Sequence, residues 1–368
     1  MKTEVKNLNN GQSRTWKVIP FENRDLPALG LFFKQHFRSA SQYGSMGLFQ
    51  WRAVDNYLMS GIINLIKDGE RIVSTLSNTP KRLFVRGEGR LVAEIGDANT
   101  DPQYQRQGML ALLINQSTRD ALDKGIQGVY STPDTKTPSL PAFIKKANYL
   151  PQQGLDIQSL IFPIDIGPFV QAHTHWLIGH YAGSLFLTLV YLYYLVMKGL
   201  NHRSQAFTVD ELLALPDDWD NFWDKARQSY DFIFEKNKQA LTWRFFRNPN
   251  KYKFYIVKNK DEIVGYIVYR IVNDDDIKRL IIADFLFLPG YEFHFKVLLL
   301  KVFEDALRIG ANLISSWCIK GSNYYKFFKK FGFIKRGNIL LIWFQNEFAS
   351  ALKNGHRWHF TISDSDNV

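Results

Sequence analysis

The sequence predicts a mixed α/β protein in which one fold is built twice, and three observations point there. Residues 91–96 read as a strand, and the turn Asp101-Pro102-Gln103-Tyr104-Gln105-Arg106-Gln107-Gly108 follows them. Met109, Leu110, Leu112, Leu113 and Ile114 then have the spacing of a buried helix. Earlier in the chain, Asp68-Gly69 separates two apolar runs, 62–66 and 71–76, as a hairpin turn does. Finally, segments of the second half repeat segments of the first in the same order.

With 368 residues, 46% of them hydrophobic and 15% aromatic, the chain has material for two packed domains and no long disordered segment. The lone Cys318 excludes an internal disulfide framework and fits a reducing cytosol. The first 13 residues are polar, unlike a signal peptide, so a cytoplasmic location is expected. A net charge of +11 raises the question of nucleic acid. Lys and Arg are nevertheless scattered, in blocks no longer than pairs such as Lys145-Lys146, and no nucleic-acid motif accompanies them, so nucleic acid is set aside. A basic surface equally suits CoA, a sugar nucleotide or an anionic membrane face. His173, His175 and His180 lack Cys or acidic partners nearby, and no metal is expected.

Taken in order, residues 16–20 read as a first strand. Asp25 caps a helix whose apolar stripe is Leu26, Leu29, Phe32, Phe33 and Phe37, and 44–47 is a turn. The hairpin follows, then residues 81–85 as a strand or link. The helix after Gly108 is stopped by Gly125. Residues 128–131 are a strand, 133–141 a proline- and threonine-rich loop, 141–147 a short helix and 159–162 a last strand.

The turn before Met109 carries the chemistry. The first amides of a helix have no intrahelical partner and its dipole is positive there, so this corner suits an anion such as a pyrophosphate. Gly108 lets the backbone come close to a ligand. The pattern Gln105-Arg106-Gln107-Gly108-Met109-Leu110 resembles motif A of the GCN5-related N-acetyltransferases (GNAT), Gln/Arg-x-x-Gly-x-Gly/Ala, with Leu110 in place of the final small residue. The resemblance covers about residues 16–163, and the element order agrees. It implies an acetyl-CoA site in which the backbone of Gln105, Arg106, Gln107, Gly108, Met109 and Leu110 cradles the pyrophosphate. It further implies that amides around Ile95 and Gly96 meet the thioester.

In the repeat, Trp243-Arg244-Phe245-Phe246-Arg247-Asn248 answers Trp51-Arg52-Ala53-Val54-Asp55-Asn56. Asp305-Ala306-Leu307 answers Asp120-Ala121-Leu122, and Lys329-Lys330-Phe331-Gly332-Phe333 answers Lys145-Lys146-Ala147-Asn148-Tyr149. The offsets of 192, 185 and 184 drift slowly and stay collinear. Where motif A belongs, the copy has Pro289-Gly290-Tyr291-Glu292-Phe293-His294, without Gln/Arg-x-x-Gly. The expected architecture is two tandem GNAT-like domains, each a mixed, mostly antiparallel sheet flanked by helices, the second without a CoA site. The boundaries are 1–165, an apolar linker at 166–203, 204–350, and a polar tail at 351–368.

Residues 176–197 contain no Asp, Glu, Lys or Arg. They read first as a helix packed between the copies; attachment to a bilayer surface and a true span are the alternatives.

Acetyl transfer to an amine requires a base, polarisation of the thioester carbonyl and a proton for the leaving thiolate. Asp97 and Glu94 are the nearest candidate bases. A regular strand places them on opposite faces, and a bulge, frequent in the family, changes that. Asp97 aligns with Asp284 in the copy that lacks motif A, which argues for a structural acid. The tyrosine that is often the family's general acid falls on Ile144 here, leaving solvent, Tyr104 or Tyr130 to protonate the thiolate. Arg52 reads as scaffold, or as a partner for an acidic substrate group. The reading reached is acetyl transfer from acetyl-CoA to the primary amine of a small molecule, such as an amino sugar of a surface-polysaccharide pathway. The alternatives are an aminoacyl or acyl transferase acting at a membrane face on a lipid-linked sugar, and a non-catalytic CoA-binding module.

Overall fold

Strand pairing divides this protein differently from chain order. The computed structural model describes residues 6–7, 14–36, 46–174, 176–201, 207–274, 277–354 and 357–366. The first half supplies β1 (Val18–Pro20), α1 (Leu26–His36), β2 (Ile62–Asp68), β3 (Arg71–Val85), β4 (Glu88–Thr100), α2 (Met109–Asp123), β5 (Gly128–Ser131), α3 (Leu140–Lys146), β6 (Tyr149–Pro151) and β7 (Ile157–Pro163). Helices α4 (Gly167–Gln171) and α5 (Trp176–Asn201) follow. The second half supplies β8 (Phe207–Leu212), α6 (Trp219–Arg227), β9 (Phe232–Phe234), β10 (Tyr252–Asn259), β11 (Glu262–Asp274), β12 (Ile277–Phe287), α7 (Phe295–Arg308), β13 (Leu313–Ile319), α8 (Asn323–Lys330), β14 (Ile334–Ile339), β15 (Ile342–Phe344) and β16 (Trp358–His359).

One sheet runs β16-β9-β3-β4-β5-β15-β6, with β2 and then β1 attached to β3; the other runs β8-β10-β11-β12-β13-β7-β14. Most neighbours are antiparallel, while β4–β5, β12–β13 and β9–β16 are parallel. The hairpin at Asp68-Gly69 is present, and Gly69 and Gly125 both adopt the positive φ that their turns require. Residues 81–85 are the end of the long β3. Asp25 does not cap α1. It lies one turn earlier, accepting the Glu22 amide at 3.0 Å and the Lys67 ammonium at 2.6 Å. Phe37 and Gly44 lie outside the described residues.

The last strand of each half is exchanged. β7, read from the sequence as the final strand of the first domain, inserts between β13 and β14 of the second sheet. β15 inserts between β5 and β6 of the first. The alternation within these strands says which faces are buried, but it cannot name the neighbour. A shared core results, with Tyr130 and Ile157 packed beside Phe234, Trp343, Trp358 and Phe360.

The Trp-Arg repeat lies where the copies meet. Trp51 and Trp243 stack at 4.3 Å between ring centroids with an interplanar angle of 18°. Each begins a matching wide helical turn, Gln50–Val54 and Thr242–Phe246. Each turn ends in the same cap: Asn56 Nδ2 donates to the Arg52 carbonyl, and Asn248 Nδ2 to the Arg244 carbonyl.

The segment read as a polar tail is interior from Trp358 to Asp366. β16 pairs in parallel with β9, and Phe360, Thr361, Ser365 and Asp366 are buried between the sheets. Polarity was a poor guide because the buried polar groups are matched. Lys236 Nζ donates to Asp284 at 2.9 Å and to Asp364 at 2.8 Å, and Thr361 Oγ1 donates to Asp284 at 2.9 Å. His359 is neutral, since burial first and Lys236 second bring its pKa down to about 3.

The apolar stretch 176–197 lies within one helix, α5, but it is not a buried bridge. Gly179 and Gly183 pack closely on α4, and Val190 and Tyr194 enter the second core; most of the remaining surface faces outward.

Candidate functional site

The corner between β4 and α2 begins with Asp101, whose side chain accepts the Gln103 amide at 2.9 Å and pairs with Arg71. Tyr104 packs edge-on to Trp16 and donates to Asp68 at 2.7 Å, while Gln107 accepts the Trp16 indole N–H at 3.0 Å. These contacts hold the turn from behind. Arg106 (φ 65°) and Gly108 (φ 78°) then take left-handed conformations, and α2 starts without a side-chain cap. The amides of Met109, Leu110 and Ala111 thus open the helix with no intrahelical acceptor, and successive N–H groups of such a turn form an anion-binding concavity. Gln105, Arg106 and Gly108 are exposed, so the concavity is open to a ligand. Leu110, the departure from the motif, packs partly against the first core.

Next to this corner the sheet splits. β4 and β5 pair only over Val92–Gly128, Ala93–Val129 and Glu94–Tyr130. Ile95 and Gly96 lie beyond the last pair, held from the other side by Asn78 and Ser77 of β3. The residues expected to meet a thioester therefore sit just past the end of the β4–β5 pairing, where the Ile95 carbonyl still accepts the Ser131 hydroxyl at 3.2 Å.

Glu94 and Asp97 do not obey simple alternation. Ser77 faces Gly96 and Thr75 faces Asn99, so Asp97 and Ala98 share one position opposite Leu76, and Asp97 has a φ of 50°. This bulge turns both acids toward the buried C-terminal segment. Arg52 binds Asp97 through both carboxylate oxygens, at 2.6 and 2.5 Å, and Ser77 adds a bond at 2.6 Å. Glu94 accepts Lys81 Nζ at 2.5 Å and Thr132 Oγ1 at 2.5 Å. Asp366 joins the two pairs, lying 3.0 Å from Lys81 Nζ and 3.8 Å from Arg52 Nε. Burial pushes the Glu94 carboxyl up to about 7, with Lys81 opposing the shift. Burial also disfavours the Asp366 carboxylate, but Lys81, Arg52 and Arg244 outweigh it and hold that carboxyl below its usual range. The two arginines of the repeat thus converge on one residue of the tail. Tyr104 and Tyr130 are not idle hydroxyls: Tyr130, fully buried, donates to the Asp364 carbonyl at 2.7 Å.

The copy has the same bulge and a different corner. Val268 faces Asp284 and Tyr269 faces Ile282, leaving Ala283 as the extra residue. At its corner Glu292 turns back to accept the Gly290 amide at 3.0 Å. The carboxylate of the first corner, Asp101, is buried and paired with Arg71, whereas that of Glu292 is not buried, and its charge opposes a phosphate. No group of three His, Cys, Asp or Glu side chains fit to hold a metal is found among the described residues.

Residues 22–150 match the acetyltransferase (GNAT) domain family. This part of the chain is thus similar to the GNAT family. No curated protein matches it. Among solved structures, a GCN5-related N-acetyltransferase from Anabaena variabilis is 13% identical, with a TM-score of 0.59 and coverage of 89% of this chain and 72% of that one. N-myristoyltransferase from Saccharomyces cerevisiae, with bound myristoyl-CoA, is 12% identical, with a TM-score of 0.60 and coverage of 93% and 84%. A tandem GNAT protein from the clavulanic acid biosynthesis pathway is 13% identical, with a TM-score of 0.58 and coverage of 89% and 97%. At these identities the shared property is the fold, and the likeness extends over both halves of this chain. That fold supports acyl transfer in general.

Proposed function

We propose that this GNAT protein transfers an acetyl group from acetyl-CoA to the primary amine of a small molecule, such as an amino sugar of a surface-polysaccharide pathway. The open amide corner at residues 105–111 supports the reading: its uncapped helix start suits a pyrophosphate, and the pairing of β4 with β5 ends just before Ile95 and Gly96. In this reading the first unit binds the acyl donor and the second forms the far wall of the acceptor site.

Of the two acids, Glu94 suits proton transfer better. Both oxygens of Asp97 are engaged by a guanidinium, and its counterpart Asp284 is an ion-pair centre in a unit whose corner is closed. Glu94 titrates near neutrality, and Thr132 Oγ1 connects it to the residue following β5. Titration calorimetry with acetyl-CoA tests the donor, and loss of turnover with retained binding in Glu94→Gln tests the base. Absence of binding heat together with absence of protection by CoA would falsify the enzymatic reading. A second reading, acyl transfer at a membrane face to a lipid-linked acceptor, is favoured by the exposed apolar helix α5. Binding of CoA without turnover across a panel of amines points instead to a binding module.

A further inference from the structure

Helix α5 has the composition of a buried helix and the position of a surface one. Over Leu177–Gly199 its mean hydropathy is 1.3, yet only 17% of its most apolar window is buried. Its inward stripe is narrow: Gly179, Gly183, Val190 and Tyr194. The outward surface carries Ile178 (57% exposed), Tyr181 (70%), Leu185 (65%), Leu189 (56%), Leu192 (52%) and Val196 (60%). These positions recur at helical spacing and form one continuous strip, where an ordinary surface helix places charge. Soluble monomers seldom leave such a strip uncovered.

We infer that this strip docks into the interface of an anionic lipid bilayer, with α5 lying in the plane of the membrane. The charge bordering it selects that occupant. Tyr193 packs on Phe162 and approaches the Lys330 carbonyl, which places the end of α8 beside α5. That end carries Lys329 and Lys330, both exposed and without a carboxylate partner among the described residues, and the exposed Lys326, Lys335 and Arg336 flank them in sequence. Lys198, at the end of α5, approaches Glu304, which also pairs with Lys301. An apolar strip free of charge, bordered by lysines, matches the boundary between acyl chains and anionic headgroups.

Two other arrangements fit less well. A transmembrane orientation would strip the inward stripe from the core it packs against, and the exchanged strands β7 and β15 keep both units on the same side of α5. A twofold dimer through the strip would bring two copies of the same basic border together at one interface.

The inference is independent of the acyl acceptor and is tested on the full chain without substrate, by flotation with phosphatidylcholine vesicles with or without phosphatidylglycerol. The chain is expected to float with the anionic vesicles and to be released by salt. Leu185→Asp with Leu192→Asp is expected to weaken binding by about tenfold or more, with an unchanged circular-dichroism melting curve. Lys329→Glu with Lys330→Glu leaves the strip intact and is expected to reduce binding to the anionic vesicles alone, so the test stands if the first variant folds poorly. Failure to float with either vesicle, or equal flotation with both, overturns the inference. So does a dimer mass by light scattering that the two aspartates reduce to a monomer.

Discussion

The two halves share a plan and differ at one corner. Each bulges its central strand and places an acid there, Asp97 or Asp284, and each acid is held by a buried cation, Arg52 or Lys236. The helix corner after that strand is open amides in the first half and is closed by Glu292 in the second. What both halves retain is therefore the framework, and what the first alone presents is an exposed, uncapped helix start, the site proposed for the anion. The comparison moves Asp97 toward structure, and in the proposed reading Glu94 is the proton acceptor.

The largest expected effect is on the framework. Removing residues 355–368 exposes the sites of Trp358, Phe360 and Ile362, at about 1.5–3 kcal/mol for each, and leaves Lys236 and Lys81 with fewer partners. We expect a loss of more than about 5 kcal/mol by urea denaturation, with both units melting together. Two separate transitions would show that the tail does not join them. Breaking one buried pair is the narrower form: Lys236→Ala should cost about 3–5 kcal/mol, because Asp284 and Asp364 remain buried and unpaired.

The corner contrast is sharpened by paired glycine variants. Gly108→Glu places charge and bulk at a left-handed position in the open turn, and acetyl-CoA affinity should fall on the order of a hundredfold. Gly290→Glu at the closed corner should leave affinity unchanged, although its φ is also positive. Equal losses in calorimetry would mean that the second corner also binds the donor.

The smallest effect concerns pH. Glu94 titrates near 4.5 when unfolded and near 7 when folded, so the folded chain holds the extra proton between those values. Its contribution to stability is present at low pH, falls as pH rises through that window, and is level above it. Over the window this amounts to on the order of 3 kcal/mol, and Glu94→Gln should remove it from a series of melting curves. An unchanged slope would assign that proton to another group of the cluster. In the reading of Glu94 as base, the acid limb of kcat/KM near neutrality should vanish in the same variant.

Much of this was legible in the residues. The spacing of Met109, Leu112 and Leu113 and the Gly108 turn located the open corner, and the Trp-Arg-x-x-x-Asn repeat exposed the duplication. The same repeat marked the meeting point of the two halves, although its sequence gave no hint that Trp51 stacks on Trp243 or that both arginines approach Asp366. The tail was missed because Thr361, Asp364, Ser365 and Asp366 look solvent-loving until their buried partners are seen. Helix α5 was missed in the opposite sense, since apolar composition does not say whether anything covers it.

Local order thus determined the elements, the duplicated plan and the anion corner, because periodicity, turn chemistry and glycine conformation act over a few residues. Only the tertiary structure decided that β7 and β15 change sheets, that the tail is interior, and which acid is locked. Those outcomes depend on partners more than a hundred residues away, such as Lys81 with Asp366 and Lys236 with Asp364, whose charges cancel only once the chain has folded.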